Sequence, residues 1–117
     1  MSRLDSLRLA DILAAIEDVR ATIGGLDEQS FLQDRMRRNA VSMSILVISE
    51  ATRHLSPELK SRQPSVPWRQ IEDIGNIIRH VYFRVDYAGL WDIYVRHLDG
   101  LEHAVRSLLS ERGVEDN

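Results

Sequence analysis

The scarcity of helix breakers is the feature of this sequence that most constrains its fold. From Asp27 to His54 the chain contains neither glycine nor proline. A stretch of that length without a breaker predicts one long helix that starts near Asp27 or Ser30. Its second half, residues 40–51 (AVSMSILVISEA), is apolar on almost every side, and a helix of this kind must be covered on more than one side. In so small a protein we expect the second cover to be another copy of the chain.

Three further helices are predicted from apolar residues that recur at spacings of three and four. Their predicted spans are about residues 4–22, from Pro67 to about Tyr82, and about residues 88–110. Their apolar stripes consist of Leu9, Ile12, Leu13, Ile16 and Val19; of Ile71, Ile74, Ile77, Ile78 and Val81; and of Leu90, Trp91, Tyr94, Leu98, Leu101, Val105 and Leu108.

The connections between these helices are predicted to be short. Gly24-Gly25 ends the first helix, since glycine tolerates the backbone of a helix C-terminus. Residues 55–67 hold all three prolines and are predicted to form a loop, and residues 85–86 a brief junction. Four amphipathic helices joined in this way predict an all-α fold, an antiparallel four-helix bundle. The 117 residues are expected to form a single domain spanning residues 1–117, with its core at about 4–110.

Composition excludes several function classes. The net charge is −3, so the whole protein carries no basic field of the kind that marks nucleic-acid binders, although a local basic patch stays possible. The absence of cysteine excludes disulfides, thiolate catalysis and zinc–thiolate sites. Asp5 and Asp11 interrupt the N-terminal leucines and do not suit a secretory signal. No apolar run is long enough to span a bilayer, so we predict a cytoplasmic protein without a membrane partner.

A polar cluster near the end of the third predicted helix is the main candidate site. Its members are Asn76, Arg79, His80, Tyr82 and Arg84. Asn76 and His80 are four apart, so Asn76 can hydrogen-bond the imidazole and fix its ring. Gly75 and Arg79 are also four apart, and the missing side chain is expected to leave room for Arg79 to bend across that turn.

The residue types in this cluster suit cleavage of an RNA phosphodiester without a metal. Histidine exchanges protons near neutral pH. His80 would therefore deprotonate a 2′-hydroxyl or protonate the leaving oxygen, while an arginine stabilises the pentavalent phosphorane. The alternative is an ordinary helix end with solvated charges, which composition and spacing alone favour.

Two other features of the sequence are possible sites. Arg35, Arg37 and Arg38 form a second basic cluster, which is either a phosphate-contacting rim near His80 or a solvated face paired with neighbouring carboxylates. His97 and His103 are six apart and do not share a helix face. We therefore predict no metal site and no cofactor.

The stretch PWRQIEDIGNIIRHVYFRVD, followed by LWDI, resembles the HepT-like proteins. These are HEPN-superfamily toxins encoded beside a minimal nucleotidyltransferase antitoxin. The matching residues, in order and spacing, are Pro67, Trp68, Arg69, Asn76, His80, Tyr82, Asp86 and Trp91. Weaker matches are Arg8 with residues 11–13, Phe31, Asp34, residues 38–40, and residues 49–51 against the family's glycine-glutamate-alanine turn.

One position departs from the family pattern. The family's arginine five residues before the histidine is Gly75 here, and the nearest arginine is Arg79. This looks like a G-N-x-x-R-H-x-Y variant of the motif. Arg79 is our choice for the residue that serves the phosphate, and Arg84 is the reserve as a substrate-binding residue.

The resemblance implies a HEPN-like bundle that forms a homodimer and brings two copies of the motif to one cleft. It implies RNA cleavage as the toxic activity, with His80, Arg79 and Asn76 as the catalytic group. It also implies neutralisation by a minimal nucleotidyltransferase antitoxin that transfers AMP to Tyr82. The alternatives are a non-catalytic HEPN module that binds RNA or a nucleotidyltransferase, and a purely structural helical dimer in which Tyr82 is interfacial.

Overall fold

The structure, a computed structural model, describes residues 1–80 and 86–115, and it describes side chains in these ranges except at 77–80 and 112–115. Every regular element within the described residues is a helix, which confirms the all-α prediction. In chain order the helices are α1 (Arg3–Ile23), α2 (Glu28–Gln33), α3 (Arg35–Arg53), α4 (Pro57–Ser61), α5 (Trp68–His80), α6 (Tyr87–Arg96) and α7 (Leu98–Glu115). None of the helices in this part of the chain is long and apolar enough to cross a membrane.

α3 is the central helix, because it packs on α1 and on α5. α7 packs on α1 and α6, and α6 also contacts α2 and α3. The described members of the predicted apolar stripes all lie in this core or pack against it, with Leu9, Ile12, Ile16, Val19, Val105 and Leu108 fully buried. The apolar spacing therefore predicted the buried faces correctly.

The long helix predicted from Asp27 to His54 is wrong in one respect, because Asp34 divides it. Asp34 has an extended backbone (φ −99°, ψ 96°), and its carboxylate accepts hydrogen bonds from the backbone N–H (3.0 Å) and Nη1 (2.7 Å) of Arg37. An aspartate in this role caps the helix that follows it. The break turns α2 so that Phe31 is fully buried, with its ring centroid 5.5 Å from that of Trp91. The predicted helix is thus interrupted without a glycine or proline, and buried aromatic packing accompanies the interruption.

The fourth predicted helix is also divided, at His97. Its two parts pack on different neighbours, α6 on α2 and α3, and α7 on α1. The hydrogen bonds continue across the junction, since the N–H of His97 donates to the carbonyl of Ile93 and its own carbonyl accepts from Leu101. The interruption is therefore a local bend between two packing partners.

The predicted proline-rich loop contains a short helix, α4. Ser56 caps it and Pro57 occupies its first turn, a position that suits proline. Leu59 is buried, and the Trp68 indole N–H donates to the carbonyls of Lys60 and Gln63 at 3.0 Å each. α5 begins at Trp68, so Pro67 precedes the helix instead of lying within its first turn. The indole thus fixes the connection between α4 and α5.

The apolar half of the central helix is covered on two sides by the chain itself. α3 packs mainly on α1 and α5, and its residues Val41, Ile45 and Ile48 are buried. A third face remains exposed, and its apolar members are Met36 (83% exposed), Met43 (62%) and Val47 (40%). A second copy of the chain, which the sequence predicts as a cover for this helix, is therefore needed only on the third face.

Candidate functional site

α5 carries the described part of the motif. Asn76, Arg79 and His80 all lie on this helix, and Asn76 and His80 are separated by one turn, so they share a face. Asn76 is exposed. The side chains of Arg79 and His80, and all of Tyr82 and Arg84, lie outside the described residues. The roles assigned to these four residues therefore stay predictions, as does the predicted Asn76–His80 hydrogen bond.

One neighbour of Asn76 is an arginine from the central helix. Arg53 Nη1 lies 3.4 Å from Asn76 Oδ1 and donates to it. The same guanidinium lies 3.6 Å from Glu50 Oε1, one turn back on α3. Because the Arg53 side chain is 41% exposed, its charge faces solvent on the side of α5 that carries Asn76. No local pattern in the sequence marks Arg53 as part of the site.

Gly75 is the point of closest approach between α3 and α5. Its N–H donates to Ser49 Oγ at 3.0 Å, and that hydroxyl donates to the carbonyl of Glu72 at 2.8 Å. A Cβ at position 75 would lie 2.3 Å from Ser49 Oγ and 2.8 Å from Ser49 Cβ. Ser49 is fully buried and cannot move into solvent. Glycine at 75 is therefore required by the helix contact.

This contact corrects one part of the sequence reasoning. The missing side chain at Gly75 was expected to leave room for Arg79 to bend across the turn. The space is instead filled by Ser49, whose Oγ and Cβ occupy the position of an absent Cβ. The volume beside Gly75 is therefore not open to another side chain.

The second basic cluster is divided between two environments. Arg37 pairs with Asp34 at 2.7 Å, as expected for a solvated face with a neighbouring carboxylate. The Arg38 guanidinium lies 4.6 Å from the ring centroid of Tyr87, at the start of α6, a cation–π arrangement. Arg38 and Arg53 are 15 residues apart on α3, which corresponds to about 22 Å along a helix. The predicted closeness of this cluster to His80 involves a side chain outside the described residues.

A groove between α5 and α6 is a poor candidate for binding a phosphate. Its volume is about 230 Å³, and its apolar lining includes Ile71, Ile74 and Ile93. The acidic residues at this groove are Asp86 and Asp92, and carboxylates repel phosphate. Within the described residues no group of three or more histidine, aspartate or glutamate side chains could hold a metal ion. The Arg53–Asn76 side of α5 is therefore the better surface for a nucleic acid.

The chain is similar to known ribonucleases. Residues 12–108 match the family described as "Ribonuclease HepT-like". "Putative RNase MJ1380" of Methanocaldococcus jannaschii is 35% identical over 85 residues, which is 73% of this chain and 78% of that protein. "Probable ribonuclease HepT" of Thermococcus cleftensis is 31% identical over 91 residues, 78% of this chain and 83% of that protein. "Putative RNase TTE0752" of Caldanaerobacter subterraneus is 27% identical over 103 residues, 88% of this chain and 92% of that protein.

No solved structure matches the chain. The family match spans most of the chain, including all of α5, on which the motif lies. The chain therefore belongs to the HepT-like family of ribonucleases.

Proposed function

We propose that this protein is the toxin of a toxin–antitoxin pair, a metal-independent endoribonuclease that acts in the cytoplasm. The observation that carries the proposal is the family match over residues 12–108, which includes the motif on α5. "Probable ribonuclease HepT" of Thermococcus cleftensis, a relative of comparable length, supports the same reaction class.

The proposed reaction is an internal transesterification. His80 takes the proton of a 2′-hydroxyl, the 2′-oxygen attacks phosphorus, and the bond from phosphorus to the 5′-oxygen breaks. The products are a 2′,3′-cyclic phosphate and a 5′-hydroxyl, whose oxygen receives a proton. Arg79 stabilises the charge that develops on the phosphorane. Asn76 orients the His80 ring, and Arg84 contacts the substrate.

Purified protein and an RNA substrate test these roles. His80→Ala should abolish cleavage and leave the helical circular dichroism unchanged. Arg79→Ala should slow cleavage strongly, by a factor of about 10² or more, as for loss of a donor to a developing oxyanion. A chelator should have no effect. If Arg79→Ala is fully active and Arg84→Ala is inactive, Arg84 instead of Arg79 stabilises the phosphorane. Loss of activity with a chelator would exclude the metal-independent mechanism.

The proposed functional unit is a homodimer, which brings two copies of the motif to one cleft. One His80 would then act as the base while the other protonates the leaving oxygen. The exposed apolar face of α3 supports self-association, because Met36, Met43 and Val47 recur at spacings of seven and four along one side of the helix. Exposed apolar side chains grouped in this way mark contact surfaces.

Light scattering tests the dimer. Met43→Asp places a charge on the exposed face and should shift the protein toward the monomer without unfolding it. Leu46→Asp is a poorer probe, because Leu46 lies at the contact between α3 and Gly75 and its replacement should disturb folding as well. A wild-type protein that is monomeric at micromolar concentration would contradict the proposal.

Neutralisation is proposed to occur when a minimal nucleotidyltransferase antitoxin transfers AMP from ATP to the Tyr82 hydroxyl, with release of pyrophosphate and the phenol proton. The added phosphate carries negative charge two residues from His80, where it would repel the RNA phosphate. Coexpression followed by mass spectrometry should find AMP on Tyr82. Tyr82→Phe should keep most of the ribonuclease activity and escape neutralisation. An unmodified Tyr82 in a complex that still suppresses toxicity would mean that the partner acts by steric occlusion.

The second candidate function is a non-catalytic module that binds RNA or a nucleotidyltransferase. Gly75 favours it, because no side chain can occupy the position where the family pattern has an arginine. Expression of the protein alone in a bacterial host separates the two. Growth arrest that His80→Ala abolishes supports the ribonuclease, whereas growth arrest that His80→Ala leaves unchanged supports the binding module.

A further inference from the structure

The candidate site lacks a positive charge at position 75, where the family pattern has an arginine. Ser49 fills the space at Gly75, so position 75 can supply neither a guanidinium nor any other group to a phosphate. The hydrogen bonds from Gly75 to Ser49 and from Ser49 to Glu72 hold α3 tightly against α5 at this point. A cation on α3 close to this contact therefore extends from a backbone position that is fixed relative to the motif helix.

Arg53 is such a cation. It follows Ser49 by four residues, one turn along α3. Its Nη1 reaches across to Asn76 Oδ1 at 3.4 Å. Asn76 immediately follows Gly75, and His80 lies one turn further along the same face of α5, about 6 Å along the helix axis. The Arg53 guanidinium thus borders the face on which the proposed base lies.

The contacts of Arg53 leave it able to accept a ligand. Charge-assisted hydrogen bonds in proteins are about 2.7–2.9 Å long, whereas Arg53 Nη1 lies 3.4 Å from Asn76 Oδ1 and 3.6 Å from Glu50 Oε1. These weak contacts orient the side chain toward α5 without saturating its five N–H donors. The planar fork of a guanidinium matches two oxygens of one phosphate.

We propose that Arg53 and Asn76 form a phosphate-binding subsite of the RNA site, in which the Arg53 guanidinium binds a phosphate of the RNA backbone beside the cleaved bond. The inference rests on the proposed ribonuclease function and deepens it. The central helix then supplies the charge that the motif helix cannot carry at position 75, and the site is built from two helices.

The test compares cleavage of an RNA oligonucleotide by four forms of the full chain: wild type, Arg53→Gln, Arg53→Lys and the control Arg106→Gln. Arg106 is an exposed arginine on α7 that pairs with Glu102 one turn away, and Glu102 keeps Arg20 as a partner in the variant. Arg53→Gln should lower kcat/KM about ten- to a hundredfold, as expected for loss of a hydrogen-bonded charge. Arg53→Lys, which keeps the charge but not the fork, should recover part of that loss. Arg106→Gln should stay within about twofold of wild type.

A binding measurement separates failure of this inference from failure of the proposed function. RNA binding is followed by fluorescence anisotropy against salt concentration, in a His80→Ala background so that no cleavage occurs. Loss of one phosphate contact to a single strand should reduce the slope of log K against log salt by about 0.7. Arg53→Gln should show this reduction, whereas Arg53→Lys and Arg106→Gln should not.

The outcomes distinguish the two claims. If wild type cleaves RNA, His80→Ala does not, and Arg53→Gln matches Arg106→Gln in both cleavage and salt slope, the subsite is refuted and the ribonuclease stands. If wild type leaves RNA intact, the proposed function fails, and the salt slope still decides whether Arg53 binds a phosphate. Circular dichroism checks that each variant is folded. If Arg53→Gln is unfolded, the test of the subsite rests on Arg53→Lys. An unchanged kcat/KM in Arg53→Lys would refute the bidentate contact.

Discussion

Replacing Gly75 by alanine, with and without its neighbour Ser49, tests whether the helix contact dictates the glycine. Alanine gains about 1 kcal/mol over glycine inside a helix. Against this, its Cβ would lie 2.3 Å from the buried Ser49 hydroxyl, and overpacking of this kind costs about 1–3 kcal/mol. The hydroxyl must also give up a hydrogen bond, at about 1 kcal/mol. The net effect of Gly75→Ala is therefore a destabilisation of about 1–3 kcal/mol.

The same change should stabilise the protein once Ser49 is glycine. The nearest remaining atom would be Leu46 Cδ1 at 3.6 Å, an ordinary contact, so only the helix propensity gain of about 1 kcal/mol remains. The coupling free energy between the two positions, which is the difference between the two backgrounds, is then about 2–4 kcal/mol. The direct cost of Ser49→Gly itself cancels in this difference.

Urea unfolding of the four proteins of this cycle, followed by circular dichroism at one fixed protein concentration, measures the coupling. Ser49→Ala is the matched control, because alanine keeps the Cβ that would lie 2.8 Å from the new methyl group. In that background Gly75→Ala should still destabilise, though less than in wild type. Equal stabilisation by Gly75→Ala in all three backgrounds would refute the explanation given for the glycine.

Three further predictions concern the fold. Trp68→Phe removes an indole N–H that donates to two backbone carbonyls of the α4–α5 connection, and urea unfolding should show a loss of about 1–2 kcal/mol. Asp34→Ala removes the cap that accepts the Arg37 N–H, so scanning calorimetry should show a lower Tm, and Asp34→Asn, which can still cap, should recover most of it. Hydrogen bonds from Arg20 and Arg106 lower the pKa of Glu102, so the stability from this pairing is present above the ordinary glutamate pKa and is lost as the pH falls through the lowered value. The stability difference between wild type and Arg20→Gln should therefore be greater at pH 7 than below about pH 4.

The sequence predicted the helices well because buried apolar stripes are a local signal. The stripe through Leu9, Ile12 and Ile16 and the stripe through Leu101, Val105 and Leu108 are buried as predicted. The divisions at Asp34 and His97 were missed for a different reason. An aspartate that caps and an aspartate on a solvated helix face look alike in sequence, and the choice between them depends on tertiary packing such as the contact between Phe31 and Trp91.

The candidate site was predictable only where one helix carries it. Asn76 and His80 share a face of α5, and this follows from their spacing alone. The contacts of Gly75 with Ser49 and of Asn76 with Arg53 join residues 26 and 23 positions apart. They depend on the register between α3 and α5, which no local pattern gives. The sequence indicates this close helix contact only through the small residue at position 49 and the glycine at position 75, since close helix contacts favour such residues.

The central claim is that this chain cleaves RNA by a reaction in which His80 moves a proton of the substrate. The most direct measurement is cleavage of one RNA oligonucleotide by purified wild type and His80→Ala in the presence of a chelator, beside the same oligonucleotide with 2′-deoxyribose at the cleaved position. The account predicts that wild type cuts the RNA to a 2′,3′-cyclic phosphate and a 5′-hydroxyl, that His80→Ala does not cut it, and that the deoxy-substituted strand is not cut at that position by either protein. Cleavage of the deoxy-substituted strand at the same rate, or undiminished cleavage by His80→Ala, would contradict the account.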